Sequence, residues 1–185
     1  MNQKTAYIRF FADVNPKTVN TLIQKTEEKL KEGVERFVLL ISSGGGQVFS
    51  GISGYNFLKG IPAEVITHNF GSIDSVAVVL FCAGTRRLCV PHARFLLHGI
   101  GMDITAPTRF DEKILDERIK SLRMDRQNIA SIIADNCRKE IKEVDQDILT
   151  SIVLSADEAI KYGLVHEIKR DLFPKGAEIL DITDV

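Results

Sequence analysis

Ser75 is the residue of this chain whose setting most suggests chemistry. It lies in Phe70-Gly-Ser-Ile-Asp-Ser75-Val-Ala-Val-Val-Leu-Phe-Cys-Ala-Gly84, after a short β-branched run, Glu64–His68, and before nine uncharged residues, Val76 to Gly84. The first run reads as a strand, the second as a buried helix closed by Gly84, glycine being the usual residue just past a helix end. A serine where strand turns into helix is exposed at a sharp turn. The first unpaired backbone N–H groups of the helix lie beside it and can receive a developing negative charge. That combination suits nucleophilic attack on a carbonyl. The plainer alternative is that Ser72, Asp74 or Ser75 only caps the helix.

Two further stretches bear on the choice. Ile41-Ser-Ser-Gly-Gly-Gly46-Gln-Val-Phe-Ser-Gly51 follows the apolar run Phe37–Ile41. Its glycines open backbone conformations closed to other residues and allow close approach of a ligand. A phosphate-binding loop would also be glycine-rich, but neither Gly-x-x-x-x-Gly-Lys-Ser/Thr nor Gly-x-Gly-x-x-Gly follows. Cys89-Val-Pro-His-Ala-Arg-Phe-Leu-Leu-His98-Gly carries His98 at the end of a second apolar run. A lone histidine there is more often structural than catalytic. His98 stands one strand on from the serine turn, and whether it acts as a base turns on the wider pattern to which that strand belongs. His68 and His92 read as structural, and His166 as a surface residue.

Taken together, these stretches resemble the Clp protease proteolytic subunit family, the ClpP-type serine peptidases. That family shows Ser-Pro-Gly-Gly after a strand, Gly-x-x-x-Ser opening a helix, and Pro-x-x-Arg-x-x-x-His. The chain has Ser43-Gly44-Gly45-Gly46, Gly71-Ser-Ile-Asp-Ser75 and Pro91-His-Ala-Arg94-Phe-Leu-Leu-His98, and Leu154–Val165 matches as well. The likeness runs from about Ile8 to Ile168. It implies a serine-type endopeptidase with Ser75 as nucleophile, His98 as base, and an oxyanion hole made by the backbone N–H groups of Gly46 and Val76. The orienting aspartate of the family falls on Ser151, which can accept a hydrogen bond but cannot stabilise an imidazolium as a carboxylate does. Asp147 and Asp103 are alternative acids. Gly44 replaces the family's proline.

The likeness further implies a homo-oligomer, a ring or stacked rings of the ClpP kind whose long helix interlocks subunits, with a peptide or unfolded protein as substrate and no cofactor. An ATPase unfoldase is the family's partner, and the short stretch before the first strand leaves its engagement here an open expectation. Two alternatives accompany this reading. One is a catalytically weak paralogue with a structural or regulatory role, motivated by Ser151. The other is a crotonase-type acyl-CoA enzyme of the same architecture.

The elements needed to position these residues are legible in order. Thr5–Phe11 reads as a strand, and Asn15-Pro16 starts a helix with Val19, Leu22, Ile23, Thr26 and Leu30 at helical spacing. Phe37–Ile41 is apolar throughout, as in a sheet covered on both faces. Val48–Leu58 is a second helix, Leu88–Val90 and Phe95–Leu97 short strands, and Phe110 to about Cys137 a long helix resembling the family's handle. Lys142–Val153 is a further helix or turn. Ser155 and Glu158 form a capping box for Ser155–Tyr162, ended by Gly163. Leu164–Ile168 is a last strand, and 169–185 a tail over the surface. Strands alternating with helices give an α/β fold with parallel pairing, sharpened by the resemblance to ClpP/crotonase-like stacked ββα units in a single domain over 1–185.

Composition sets the outer limits. At 185 residues with 44% hydrophobic and 26% charged side chains, the chain is ordinary for a globular protein with a substantial core. A net charge of −1 gives no reason to expect a nucleic-acid partner. No apolar run approaches a membrane span and no signal region opens the chain, so the expected location is cytoplasmic. Three cysteines without metal-ligand spacing read as unpaired thiols, and no metal is expected.

Overall fold

The apolar run at Phe37 becomes the middle of the sheet in the computed structural model, which describes residues 3–101 and 111–184. Strand β2 (Arg36–Ser43) lies between β1 (Thr5–Phe11) and β3 (Glu64–Asp74), parallel to both. Being buried on both faces explains its unbroken hydrophobicity. With β5 (Arg94–Leu97), β6 (Ile152–Ser155) and β8 (Ile179–Thr183), the sheet order is β6-β5-β3-β2-β1-β8. All pairings are parallel except that of β5 with β6.

Strand β3 is the organising element, and it runs well past its expected end at His68. Its first half, Ile66–Asn69, pairs with β4 (Arg86–Cys89), which in turn carries β7 (Glu167–Ile168). Its second half, Ser72–Asp74, pairs with β5. The register against β2 shifts between Ile41 and Ser43, where β3 accommodates extra residues. Asn69, fully buried, holds the irregularity. Its amide donates to Arg94 O at 2.9 Å, and its carbonyl oxygen accepts from Gly71 N at 2.9 Å. Glycine in Phe70-Gly71 suggests a turn, but the side chain of Asn69 supplies the bonds that keep the chain extended.

Helices α1 (Pro16–Lys31), α2 (Val48–Gly60) and α3 (Ala77–Phe81) belong to the layer over the main core. Asn15 caps α1 as expected, its side chain accepting from Thr18 N at 3.0 Å while Thr18 Oγ1 accepts from Asn15 N at 3.1 Å. Helix α3 has five residues rather than the nine of the uncharged run. Its C-cap is Cys82, and a turn leads from there to Gly84. Every residue of α3 is buried, and Phe81 packs on Phe95 of β5 with ring centroids 5.2 Å apart. Gly54 of α2 permits the approach, since a Cβ there would sit 3.0 Å from Leu80 Cδ1.

Helix α4 (Glu112–Cys137) is long, and Asp111 caps it by accepting from Ile114 N at 2.9 Å. Phe110, the expected start, lies outside the described residues, as does Asp103. The C-terminal half buries Ile129, Ala130, Ile133 and Ala134. Leu115, Ile119 and Met124 in the other half stay about half exposed, at 48%, 44% and 52%. Helices α5 (Ile141–Thr150) and α6 (Ala156–Tyr162) follow, α6 with the Ser155/Glu158 capping box and Gly163 at its end. The expected strand Leu164–Ile168 shrinks to Glu167–Ile168, because Leu164 and Val165 turn their N–H groups back to Ala159 O, at 3.0 and 3.1 Å, closing α6 instead of joining a ladder. Strand β4 begins at Arg86, two residues before the expected Leu88, and stops at Cys89 rather than Val90.

The tail departs most from expectation. Instead of only wrapping the surface, it adds β8 (Ile179–Thr183) parallel to β1, with Ile182 buried. An exposed edge of β1 would leave backbone groups unpaired, and β8 covers it.

Candidate active site

Ser75 stands at the end of β3 with φ 58°, in the left-handed region that non-glycine residues rarely occupy. Such a conformation costs on the order of 1–2 kcal/mol and persists only where the surroundings impose it. Three features impose it here. Ser75 N donates to Leu96 O at 2.8 Å, tying the turn to β5. Asp74, the residue before, is gripped by Arg94 Nη2 at 2.6 Å and by Ser72 Oγ at 2.7 Å. Gly45 packs so closely that a Cβ on it would lie 2.6 Å from Ser75 Cβ. None of Ser72, Asp74 and Ser75 caps α3. Its N-cap position is Val76, which has no side-chain cap hydrogen bond. A five-residue helix has little macrodipole, so the local N–H groups, Val76 foremost, are what an anion beside Ser75 would meet.

The glycine loop is fixed from both sides. Gly45 N donates to Ser43 Oγ at 3.2 Å, and Gly45 O accepts from Val14 N at 2.6 Å. The peptide is trans, so the Gly46 N–H points opposite to the Gly45 carbonyl, away from Val14. Gly45 and Gly46 have φ 97° and 140°.

His98 follows β5 directly and is half-buried. Asp74 pairs with Leu96, so serine and histidine leave neighbouring strands one and two residues beyond a shared pair. His98 Nδ1 lies 2.7 Å from Gly99 O. A carbonyl can only accept, so Nδ1 carries the proton and Nε2 keeps its lone pair, the tautomer a general base needs. Among the described residues no hydrogen bond joins Ser75 Oγ to the imidazole; such bonds are often loose before substrate binds.

β6 runs antiparallel to β5 with Ile152 opposite Leu97 as the last pair of the ladder, so Ser151 enters β6 at the end from which His98 leaves β5. Ser151 is exposed and closes α5 in a left-handed conformation, φ 59°. Asp147, one turn earlier, is engaged elsewhere, its Oδ2 accepting from Tyr162 OH at 2.7 Å. A cavity of about 230 Å³, reached by Gly99 but not by His98, is lined by Ile100, Ile119, Leu122 and Leu149, with Arg123 and Arg126.

The other histidines and the cysteines lie apart from this chemistry. His68 is buried in β3 with Nε2 3.0 Å from Lys169 O, and burial lowers its pKa. His166 is exposed, as expected; its Nδ1 accepts from Arg87 N at 3.1 Å, and partial desolvation, then the Arg87 charge, lowers its pKa. Burial pushes the Cys89 and Cys137 thiols up to about 11 and raises Cys82 further, so none offers a ready thiolate. Among the described residues no group of three histidine, cysteine or carboxylate side chains could hold a metal ion.

The Clp protease family model matches residues 4–171. The chain belongs to the Clp protease family. An ATP-dependent Clp protease proteolytic subunit 3 from Rhodococcus jostii (strain RHA1) is 33% identical over 133 residues, covering 71% of this chain but only 64% of that relative. An ATP-dependent Clp protease proteolytic subunit from Bigelowiella natans is 31% identical over 155 residues, covering 83% of this chain and 76% of its own length. In three dimensions the chain shares its fold with a ClpP1 mutant from Listeria monocytogenes, at a TM-score of 0.76 and 22% identity over 91% of this chain and 92% of that one. The α/β architecture expected from the motifs is therefore that of ClpP.

Sequence reasoning missed the grip of Arg94 on Asp74 and Ser72, and the part of Gly45. The Pro-x-x-Arg-x-x-x-His pattern contains the arginine, but its partners sit on another strand and only the β3–β5 register reveals them.

Proposed function

We propose that the protein is a serine-type endopeptidase of the ClpP kind, acting on peptides or unfolded protein. Ser75 Oγ attacks the substrate carbonyl and passes its proton to His98 Nε2. The tetrahedral oxyanion is held by the N–H groups of Gly46 and Val76. His98 then protonates the leaving amine, and water, activated by the same imidazole, hydrolyses the acyl-enzyme. The observation that carries this reading is the left-handed Ser75 turn, one strand away from a histidine whose Nδ1–H is already committed to Gly99 O. Family membership favours peptide hydrolysis over the acyl-CoA chemistry of crotonase-type enzymes.

Assembly belongs to the same proposal. Leu115, Ile119 and Met124 of α4, with Leu149 of α5, expose more apolar surface than one subunit covers. A homo-oligomeric ring, located in the cytoplasm and served by an ATPase unfoldase, accounts for that surface. A second reading has one observation in its favour. The residue on which the family's orienting aspartate falls, next to the last β5–β6 pair, is Ser151 rather than a carboxylate, which suits a catalytically weak paralogue.

The deciding experiment is labelling with a fluorophosphonate and mapping of the modified residue. Modification of Ser75, lost in Ser75→Ala together with peptide hydrolysis, is the expected result. A Ser75→Ala variant that cleaves peptides at the wild-type rate would overturn it.

A further inference from the structure

Arg94 sits where the two strands that deliver Ser75 and His98 are joined. It opens β5 opposite Ser72 of β3 and opposite Ser155 of β6. Its Nε donates to Ser72 Oγ at 2.8 Å and its Nη2 to Asp74 Oδ2 at 2.6 Å, while Ser72 Oγ donates to Asp74 Oδ1 at 2.7 Å. The three side chains close a ring of hydrogen bonds around the residue that precedes Ser75. The Asp74 side chain is 15% exposed against 50% for Arg94, so the carboxylate end of the pair is well shielded. Charge-assisted hydrogen bonds of this kind are shorter and stronger than neutral ones, and the two nitrogens of one planar group fix direction as well as distance.

The position matters because Ser75 is held in a left-handed conformation that its surroundings must enforce. The Gly45 contact limits the turn from one side. Ser75 N–H to Leu96 O ties it to β5 by a single bond. Besides the backbone pairing of Ser72–Asp74 with β5, the Arg94 ring ties the Asp74 side chain to the start of the strand that presents His98 four residues later. We infer that Arg94, through Asp74 and Ser72, is a positioning residue that sets the Ser75 hydroxyl against His98. This inference rests on the serine-peptidase reading above. A displacement of about 1 Å at a reacting group can cost on the order of 100-fold in rate, whereas substrate binding along the cleft need not change.

The test measures kcat and KM on a fluorogenic peptide, the fluorophosphonate inactivation rate and the thermal midpoint, for wild type, Arg94→Ala, Arg94→Lys, Asp74→Asn and the Arg94→Ala/Asp74→Asn pair. Arg9→Ala, which removes a surface pair with Asp181 at the far side of the sheet, controls for loss of an ion pair alone. Arg94→Ala should lower kcat and the inactivation rate together by about 10- to 100-fold with KM within about twofold. Arg94→Lys, able to reach one partner, should recover part of the loss. The double variant should be no worse than the worse single variant, because both break one unit. Arg9→Ala should match wild type.

An Arg94→Ala enzyme that is inactivated at the wild-type rate refutes the inference, as does one whose losses in activity merely follow its folded fraction. If Arg94→Ala does not fold, the near-isosteric Asp74→Asn decides by the same two rates. Absence of Ser75 labelling in the wild type is a different result, and overturns the peptidase reading and this inference together.

Discussion

Replacing Ser151 with aspartate tests how His98 is held. The backbone will accept the change, since φ 59° and ψ 69° at Ser151 suit aspartate better than most residues. Leu97 and Ile152, the last pair of the ladder, have Cα atoms about 4.5–5.5 Å apart, and His98 and Ser151 are the residues next to them, so an aspartate at 151 is expected to bring its carboxylate toward the His98 ring. At about 4 Å and an effective dielectric of about 20, a carboxylate and an imidazolium attract by about 4 kcal/mol. Ser151 is exposed, and Nδ1 must first leave Gly99 O, so roughly a third of that should survive, about 1.4 kcal/mol or tenfold in rate. Stability moves the other way. A negative charge at the C-terminus of α5 costs about 0.3–1 kcal/mol, and its spacing of one turn from Asp147 adds about 0.2–0.5 kcal/mol. A loss near 1 kcal/mol lowers the thermal midpoint of a chain this size by about 2–4 °C. The assay pairs kcat/KM on a fluorogenic peptide with a melting curve. Faster hydrolysis in a slightly less stable protein is the expected signature. Asp147→Ala should leave the rate unchanged, since Asp147 is engaged by Tyr162. A Ser151→Asp variant with no gain in rate would show that no carboxylate can act beside His98, and a loss of rate in Asp147→Ala would make Asp147 the orienting acid instead.

Further outcomes follow from single features. Gly45→Ala should abolish phosphonate labelling and cost at least about 2 kcal/mol in chemical denaturation, because φ 97° strains any side chain and the new Cβ would meet Ser75. His68 and His166 have folded pKa values lowered below 6.5, so their contribution to stability is complete above that pH and is lost as pH falls below it; the thermal midpoint should drop on acidification, and His68→Gln should remove most of the drop. Light scattering at micromolar concentration should give a mass several times the 20.6 kDa of one chain, and aspartate at both Leu115 and Ile119 should reduce it. A wild-type monomer would refute the proposed assembly.

The sequence alone carried the order of the elements and the identity of the candidate nucleophile and base. Uninterrupted hydrophobicity at Phe37–Ile41, the Asn15-Pro16 start and the Ser155/Glu158 capping box are local signals, complete within a few residues. Each appears where local chemistry puts it. The serine turn was legible because an apolar run follows a β-branched one. What lay beyond reach depended on residues far apart in the chain. The extension of β3 to Asp74 is held by buried Asn69, whose partner is the carbonyl of Arg94. The tail becomes β8 because β1 needs an edge partner, a demand written in no residue of the tail itself. Arg94 finds Asp74 and Ser72, and Ser151 enters β6 at the end from which His98 leaves β5, through strand register alone. Side-chain type says what a residue can do. Which residue it does it with was decided by hydrogen-bonded strands that align positions 20 or more residues apart, and no local pattern encodes that alignment.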